Sequence, residues 1–185
     1  MPERHAVPRF IKRHLRVAFA LCLMLVSGSM AIAHAETREG FVVSVESGDT
    51  LVVEDAGHRR LQVRLAWISA PDRLQDHGEA ARSSLNAMAA GQAVHLENLT
   101  ESNGRWQANV WAASADSPCR NPDCRKTLDL GLAQLTRGMA WHDRRISGQA
   151  PQALGQYEHA EFEAKIRRIG LWAGKNPVPP WSWRG

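Results

Sequence analysis

The sequence predicts an α+β fold, an OB-type five-stranded β-barrel with three α-helices. Three observations carry that expectation. Two β-rich runs meet at a glycine turn in "GFVVSVESGDTLVV"; "RRLQVRLAWI" alternates strictly between apolar and polar residues; and helical spacing begins only after this third strand. Five short strands interrupted by one helix and followed by two more close most simply as a small barrel, whose outer face is suited to oligonucleotides.

The elements follow in order. Gly40 to Val53 forms a hairpin around Ser47-Gly48. In the third strand Leu61, Val63, Leu65 and Trp67 share one face, with Gln62 and Arg64 on the other. "GEAARSSLNAMAAG" then sets Ala81, Leu85 and Met88 on one helical stripe that stops at Gly91. "AVHLENL" and "RWQANVWA" supply the last two strands. "TLDLGLAQLTRG" places Leu128, Leu132 and Leu135 on one helical face, with Thr127 as N-cap and Gly138 as the end. A third helix, near "ALGQYEHAEFEAKIRRIG", finishes at Gly170, and "NPVPPWSWRG" is too rich in proline for regular structure.

Residues 1–35 read as an export segment rather than as part of the fold. Arg4, Arg9, Lys12, Arg13 and Arg16 precede "VAFALCLMLV", and Ala33-His34-Ala35 fits a small-x-small cleavage site. The apolar stretch is well short of the roughly 20 residues that span a bilayer; an uncleaved anchor is the alternative. The expected organisation is therefore a signal peptide at 1–35, a domain at 36–176 and a Pro/Trp-rich tail at 177–185. The chain is expected to be exported to the periplasm or secreted, with no stable membrane insertion after cleavage. Of the 23 basic and 19 acidic residues, the first 35 hold five and one, so residues 36–185 carry 18 of each. The net charge of +4 thus belongs to the export segment, and polyanion binding must come from a local cluster. Cys119 and Cys124 flank an Asn-Pro-Asp turn, and a small disulfide loop suits an oxidising compartment. A metal knuckle would need two further ligands nearby, and free thiols are the remaining alternative.

Four residues draw attention as chemistry. Asp49 follows the glycine turn, Arg64 lies on the polar face of the third strand, Asp72 follows Pro71 where that strand ends, and Arg105 opens the fifth strand. Singly each has an ordinary role in a turn or on a solvated face. Together, carboxylates suit a hard cation and arginine forks suit a phosphate, whose charge they stabilise as it builds on a pentacoordinate phosphorus.

The ordered set "SGDTLVV", "VRLAWISAPD", "NGR" and "GMAWH…YEHAEFEAKIRRIGLWA…NPVPPWSWR" resembles the staphylococcal nuclease-like (thermonuclease) family, from about Gly40 to Arg184. The resemblance implies Ca²⁺-dependent hydrolysis of DNA and RNA, leaving 3′-phosphates. It implies Asp49 as the first calcium carboxylate, Arg64 and Arg105 as phosphate clamps, and Asp72 in the place of a glutamate held to be the general base. The family pattern is usually Asp-Ala/Thr-Pro-Glu, and here it is Ser69-Ala70-Pro71-Asp72. Ser69 therefore stands where the second metal carboxylate is expected, while Ala70 still offers a carbonyl. A hydroxyl brings no charge, so cation affinity should fall. Asp76 or Glu79 could supply the missing acid.

Arg144 and Arg145 sit where the family has substrate-side residues, and Trp141 and Trp106 are candidate surface contacts for nucleic acid. Trp172, Trp181 and Trp183 are expected to pin the tail over the core. The five histidines beyond residue 35 show no metal spacing, and a surface role is expected for His77 near Asp72. The reading that follows is an exported, monomeric, metal-dependent nuclease acting on DNA or RNA, preferably single-stranded, with a weakened calcium site. The alternative is a non-catalytic OB-type module that binds single-stranded nucleic acid or an envelope protein.

Overall fold

The structure, a computed structural model, describes residues 36–102, 104–117 and 123–185. The export segment and Cys119 lie outside the described residues; Cys124, its expected partner, is buried. The barrel is built from β1 (Glu36–Ser47), β2 (Thr50–Asp55), β3 (Arg60–Leu65), β5 (Ala93–Ser102) and β6 (Arg105–Ala112). Their order is β3-β2-β1-β5-β6, and β3 closes the ring by pairing in parallel with β6, Arg64 opposite Gln107. Closure needs strong coiling, and β1 and β5 supply it: register shifts fall at Val42/Ser44, Val45/Ser47 and Glu97/Thr100, the last beside Asn98 at φ 54°. Alternation then fills the interior with Leu51, Val53, Val63, Leu65, Leu96 and Val110, each essentially inaccessible to water. Each such side chain contributes about 1.5–3 kcal/mol on burial.

The expected third strand is shorter than its alternating pattern. It stops at Leu65, because the chain turns at Trp67, held at φ 57°. The turn is fixed by Ala66 N–H donating to the Ala108 carbonyl and by Asp143 N–H donating to the Trp67 carbonyl. Trp67 is buried, as its apolar spacing implied, but in a turn. Behind it, β4 (Ile68–Ser69) pairs with β8 (Trp141–His142), Ser69 opposite Trp141. This two-residue pairing brings the loop after the third strand to the segment between the last two helices.

Helix α1 (Gly78–Ala89) buries Ala81, Leu85 and Met88, as the spacing predicts. Gly78 is required there, since a Cβ would lie 1.9 Å from the Asp72 carbonyl oxygen. Helix α2 (Leu130–Thr136) departs from expectation at its start. Leu128 and Asp129 pair as β7 with Ala112 and Trp111, so Asp129, not Thr127, is the N-cap, accepting from Leu132 N–H at 3.1 Å. Its buried face is Leu130, Gly131, Gln134 and Leu135, and Leu132 is only partly covered. Gln134 is fully buried and donates to the carbonyls of Gly48 (2.7 Å) and Ala81 (3.0 Å), pinning the β1–β2 turn to α1. Gly48 is also needed at that contact, where a Cβ would meet the Ala81 and Ala70 methyls at 2.5 and 2.7 Å.

Helix α3 (Pro151–Arg167) starts on proline, ends with Arg168 in the left-handed region, and leads to a 3-10 turn at Gly170–Ala173. Its Tyr157 hydroxyl donates to both oxygens of Asp129, at 3.0 and 2.9 Å. Burial raises the Asp129 carboxyl above its ordinary value of 3.8, against the hydrogen bonds that favour its charge. An acid raised in this way favours the fold below its ordinary value and loses that contribution as pH rises through the folded value. Tyr157→Phe should therefore cost about 2 kcal/mol at pH 7, the loss of hydrogen bonds to a charged group, and less at pH 4. Thermal melts at the two pH values check both the size and the sign.

Candidate active site

The outer face of the barrel carries a polar row dictated by register. Thr50 pairs with Arg64, Arg64 with Gln107, and Gln107 with Thr100. Arg105 is two residues before Gln107 on β6 and so points to the same side. Parallel closure of β3 on β6 thus places the two arginines, distant in sequence, on one surface. All five residues line a cleft of about 1360 Å³, together with Ser47, Asp49, Ala70 and Asp72.

Asp49, 6% exposed, sits in the β1–β2 turn, where its own carbonyl accepts from Leu65 N–H. Both carboxylate oxygens are engaged. Oδ1 accepts from the hydroxyls of Ser47 (2.8 Å) and Thr50 (3.0 Å). Oδ2 accepts from Arg64 Nε (3.2 Å) and Ala70 N–H (3.2 Å), with Arg64 Nη2 at 3.0 Å. Arg64 Nη2 also donates to Ser69 Oγ at 2.9 Å, and Ser69 Oγ donates to Asp143 Oδ2 at 2.8 Å. Asp143 in turn accepts from Arg145 Nε (2.8 Å) and Nη2 (2.6 Å), and the Arg145 guanidinium lies 4.1 Å from the centre of the Trp181 ring. A continuous chain of contacts therefore runs from the cleft floor to the C-terminal tail: Asp49, Arg64, Ser69, Asp143, Arg145, Trp181.

Asp143 is the member of this contact chain that sequence reasoning missed. The acid beside Ser69 is neither Asp76 nor Glu79. Asp76 is exposed, and Glu79, though it lines the cleft, is held by Arg82 Nε at 3.0 Å. Burial pushes the Asp143 carboxyl up, but hydrogen bonds from Arg145 and Ser69 outweigh it and hold it at about 2. This pairing stabilises the fold above the ordinary value of 3.8 and is lost as pH falls through the folded value. Asp143 directly follows "AWH" in the sequence, where Trp141, Arg144 and Arg145 drew the expectation of contacts with nucleic acid.

The other expected residues separate. Asp72 is exposed at the cleft, where its Oδ1 accepts from Leu74 N–H at 3.0 Å in a local turn. Ser69 is 1% exposed, and its hydroxyl is taken on both sides, so it does not face the cleft as a free ligand. Trp141, expected at the surface, is buried edge-on against Trp172 and Trp181, because β8 pairs inward with Ser69. Arg144 is bound to Glu158 at 3.0 Å and Arg145 to Asp143, both away from the cleft lining. Trp106 lines the cleft with Arg38 5.5 Å from its ring centre. His77 is exposed at the start of α1, at φ 64°.

The calcium that the family resemblance implies takes about six to eight oxygen ligands. Among the described residues there is no cluster of three or more His, Cys, Asp or Glu side chains arranged for a metal. Asp49 and the Ala70 peptide are the groups available at the cleft floor, and Asp49 is filled by donors. That set fits a cation held largely by water and by a substrate phosphate, through one carboxylate, and does not fit a preformed cage. The cleft lining counts Glu46, Asp49, Asp72 and Glu79 against Arg64, Arg73 and Arg105. With four negative groups to three positive, a polyanion gains from an accompanying cation.

The family model described as "Staphylococcal nuclease homologue" matches residues 62–174. "Protein ParB" of Escherichia coli is 36% identical over 173 residues, 92% of this chain and 90% of that protein. "Micrococcal nuclease" of Shigella flexneri is 32% identical over 172 residues, 92% of this chain and 91% of its own length. An "Uncharacterized endonuclease" of Haemophilus influenzae is 27% identical over 168 residues, covering 88% and 82%.

Proposed function

Because the chain belongs to the family of staphylococcal nuclease homologues, we propose that it is a nuclease hydrolysing phosphodiester bonds of DNA or RNA, single strands by preference. The observation that carries this reading is the register that sets Arg64 and Arg105 on one face beside Asp49. Two guanidinium forks on one phosphate neutralise its charge and stabilise the further charge that develops as water adds to phosphorus. Asp72, on the cleft loop with one oxygen tied to Leu74 N–H, orients the attacking water with the other and takes its proton as the P–O5′ bond breaks, the departing 5′-oxygen being protonated from solvent so that a 3′-phosphate and a 5′-hydroxyl remain.

A divalent cation, Ca²⁺ by family resemblance, would be held by Asp49 and the Ala70 carbonyl and would supply Lewis-acid polarisation of the phosphate. Arg64 couples the two ligands. It occupies Asp49 Oδ2 in the free protein, so a phosphate that draws Arg64 away also uncovers the carboxylate. Cation and substrate are therefore held together or weakly. Export, with action as a monomer in the periplasm or outside the cell, is consistent with this: extracellular calcium can fill a site of millimolar affinity. Among the described residues no helix is long and apolar enough to cross a membrane.

The test is incubation of labelled single-stranded DNA with the chain in millimolar Ca²⁺ and in chelator. Cleavage is expected only with the cation, and Asp49→Asn should abolish it. The saturated Asp49 favours one other reading, a module that binds nucleic acid without cutting it. Salt-sensitive binding with no cleavage at any cation concentration would select that reading.

A further inference from the structure

The cleft is polar along its floor but not along one wall. Leu74, Pro180 and Trp183 line it beside Asp72 and Arg73. Leu74 is 87% exposed, an unusual position for a large apolar side chain on a loop whose backbone is otherwise well held. Leu74 N–H and Gln75 N–H both donate to Asp72, and Asp72 N–H donates to Gln75 Oε1. Leu74 is thus held outward by a fixed turn. The tail opposite is also fixed: Gln75 Nε2 donates to the Val178 carbonyl, Arg145 covers Trp181, and Ser182 and Trp183 N–H both donate to the Pro179 carbonyl. Leu74 and Trp183 are the two residues that line both the cleft and a smaller hollow of about 350 Å³ behind the tail. They divide the two spaces.

A nucleotide has an anionic phosphate and a flat, largely apolar base, and this cleft offers a match for each half. We infer that Leu74 and Trp183 form a nucleobase subsite, Trp183 stacking on the base next to the phosphate that Arg64 and Arg105 hold. The inference rests on the nuclease reading and adds the tail to its substrate site. Other cleft and tail tryptophans are otherwise occupied, since Arg38 covers Trp106 and Arg145 covers Trp181. Stacking tolerates any base, so the subsite gives affinity without sequence preference.

The experiment compares binding of a labelled thymidylate oligomer with an abasic oligomer of equal length, by anisotropy in chelator at low salt. Trp183→Ala should weaken the thymidylate between about 5-fold and 150-fold and change the abasic oligomer by less than about 2-fold. Trp183→Phe should retain most of the affinity. Leu74→Ala, at a position too exposed to threaten folding, should shift thymidylate alone in the same direction, and it carries the test if Trp183→Ala melts early. Equal losses for both oligomers would reassign Trp183 to holding the tail in place and overturn the subsite. If Arg105→Ala weakens both oligomers while the Trp183 and Leu74 variants change neither, the subsite fails alone. If the native chain binds neither oligomer, the subsite is overturned, while calcium-dependent cleavage of single-stranded DNA decides the nuclease reading separately.

Discussion

Replacing Arg64 with alanine should lower kcat/KM on single-stranded DNA by on the order of 10³-fold, the scale for removing an arginine that neutralises a transferring phosphoryl group. Lysine at the same position should recover little. Arg64 uses two separate donors, Nε and Nη2, and Nη2 spans Asp49 Oδ2 and Ser69 Oγ at 3.0 and 2.9 Å; a single ammonium cannot reproduce a planar fork. The loss should not be an unfolding effect, because Asp49 keeps its donors from Ser47, Thr50 and the Ala70 peptide. A stability change of about 1 kcal/mol is expected from the broken pair. The same substitution should raise affinity for Ca²⁺ in the absence of DNA, because Asp49 Oδ2 no longer shares its charge with a guanidinium. Steady-state kinetics and calorimetric calcium titration read the two effects separately. Activity retained within about tenfold, or calcium binding that weakens in Arg64→Ala, would refute the coupling of clamp and cation through Asp49.

The positions of Arg64 and Asp49 on the barrel were legible in the sequence for a physical reason. Strands β2 and β3 bury every second residue, so an arginine out of phase with Leu61, Val63 and Leu65 must lie on the outer face. An aspartate after a glycine turn is equally well placed by local rules alone. What stayed hidden depended on contacts distant in sequence. Ser69 and Asp143 are 74 positions apart and meet through two-residue strands, too short to leave any periodicity. Trp141, expected as a surface contact for nucleic acid, is buried by the pairing of β8 with β4 and the arrival of Trp181. Asp129 replaces Thr127 as the cap because residues 128 and 129 are claimed first by β6. Tertiary pairing overrode a reasonable local reading at each of these positions.

The contact between Ser69 and Asp143 changes what the simplest repair of the site should do. Ser69→Asp restores a carboxylate where the family resemblance expects one, yet in this chain it should fail. Ser69 is 1% exposed and Asp143 3% exposed, with their oxygens 2.8 Å apart. Two carboxylates at that separation cannot both stay ionised away from water without sharing a proton, even with Arg64 and Arg145 beside them, and raising one of them by about two pKa units costs about 3 kcal/mol at pH 7. Asp143→Ser alone should cost about 2 kcal/mol, since Arg145 and the Ser69 hydroxyl both lose a charged acceptor. It should also lower the cleavage rate on the order of 10- to 100-fold, because Ser69 then no longer orients its lone pairs toward Arg64, and small misplacements of a clamp are costly. The exchange Ser69→Asp with Asp143→Ser keeps one acid and one hydroxyl in the same space. It should recover most of the stability, giving a coupling of about 3 kcal/mol in a double-mutant cycle. It should also bind Ca²⁺ more tightly than the native chain, because an acid at position 69 competes with Asp49 for Arg64 and so frees Asp49 Oδ2. Denaturant melts of the four proteins measure the coupling. Additive single effects, or a Ser69→Asp protein as stable as the native one, would show that Asp143 only anchors Arg145 and leaves the phosphate clamp untouched.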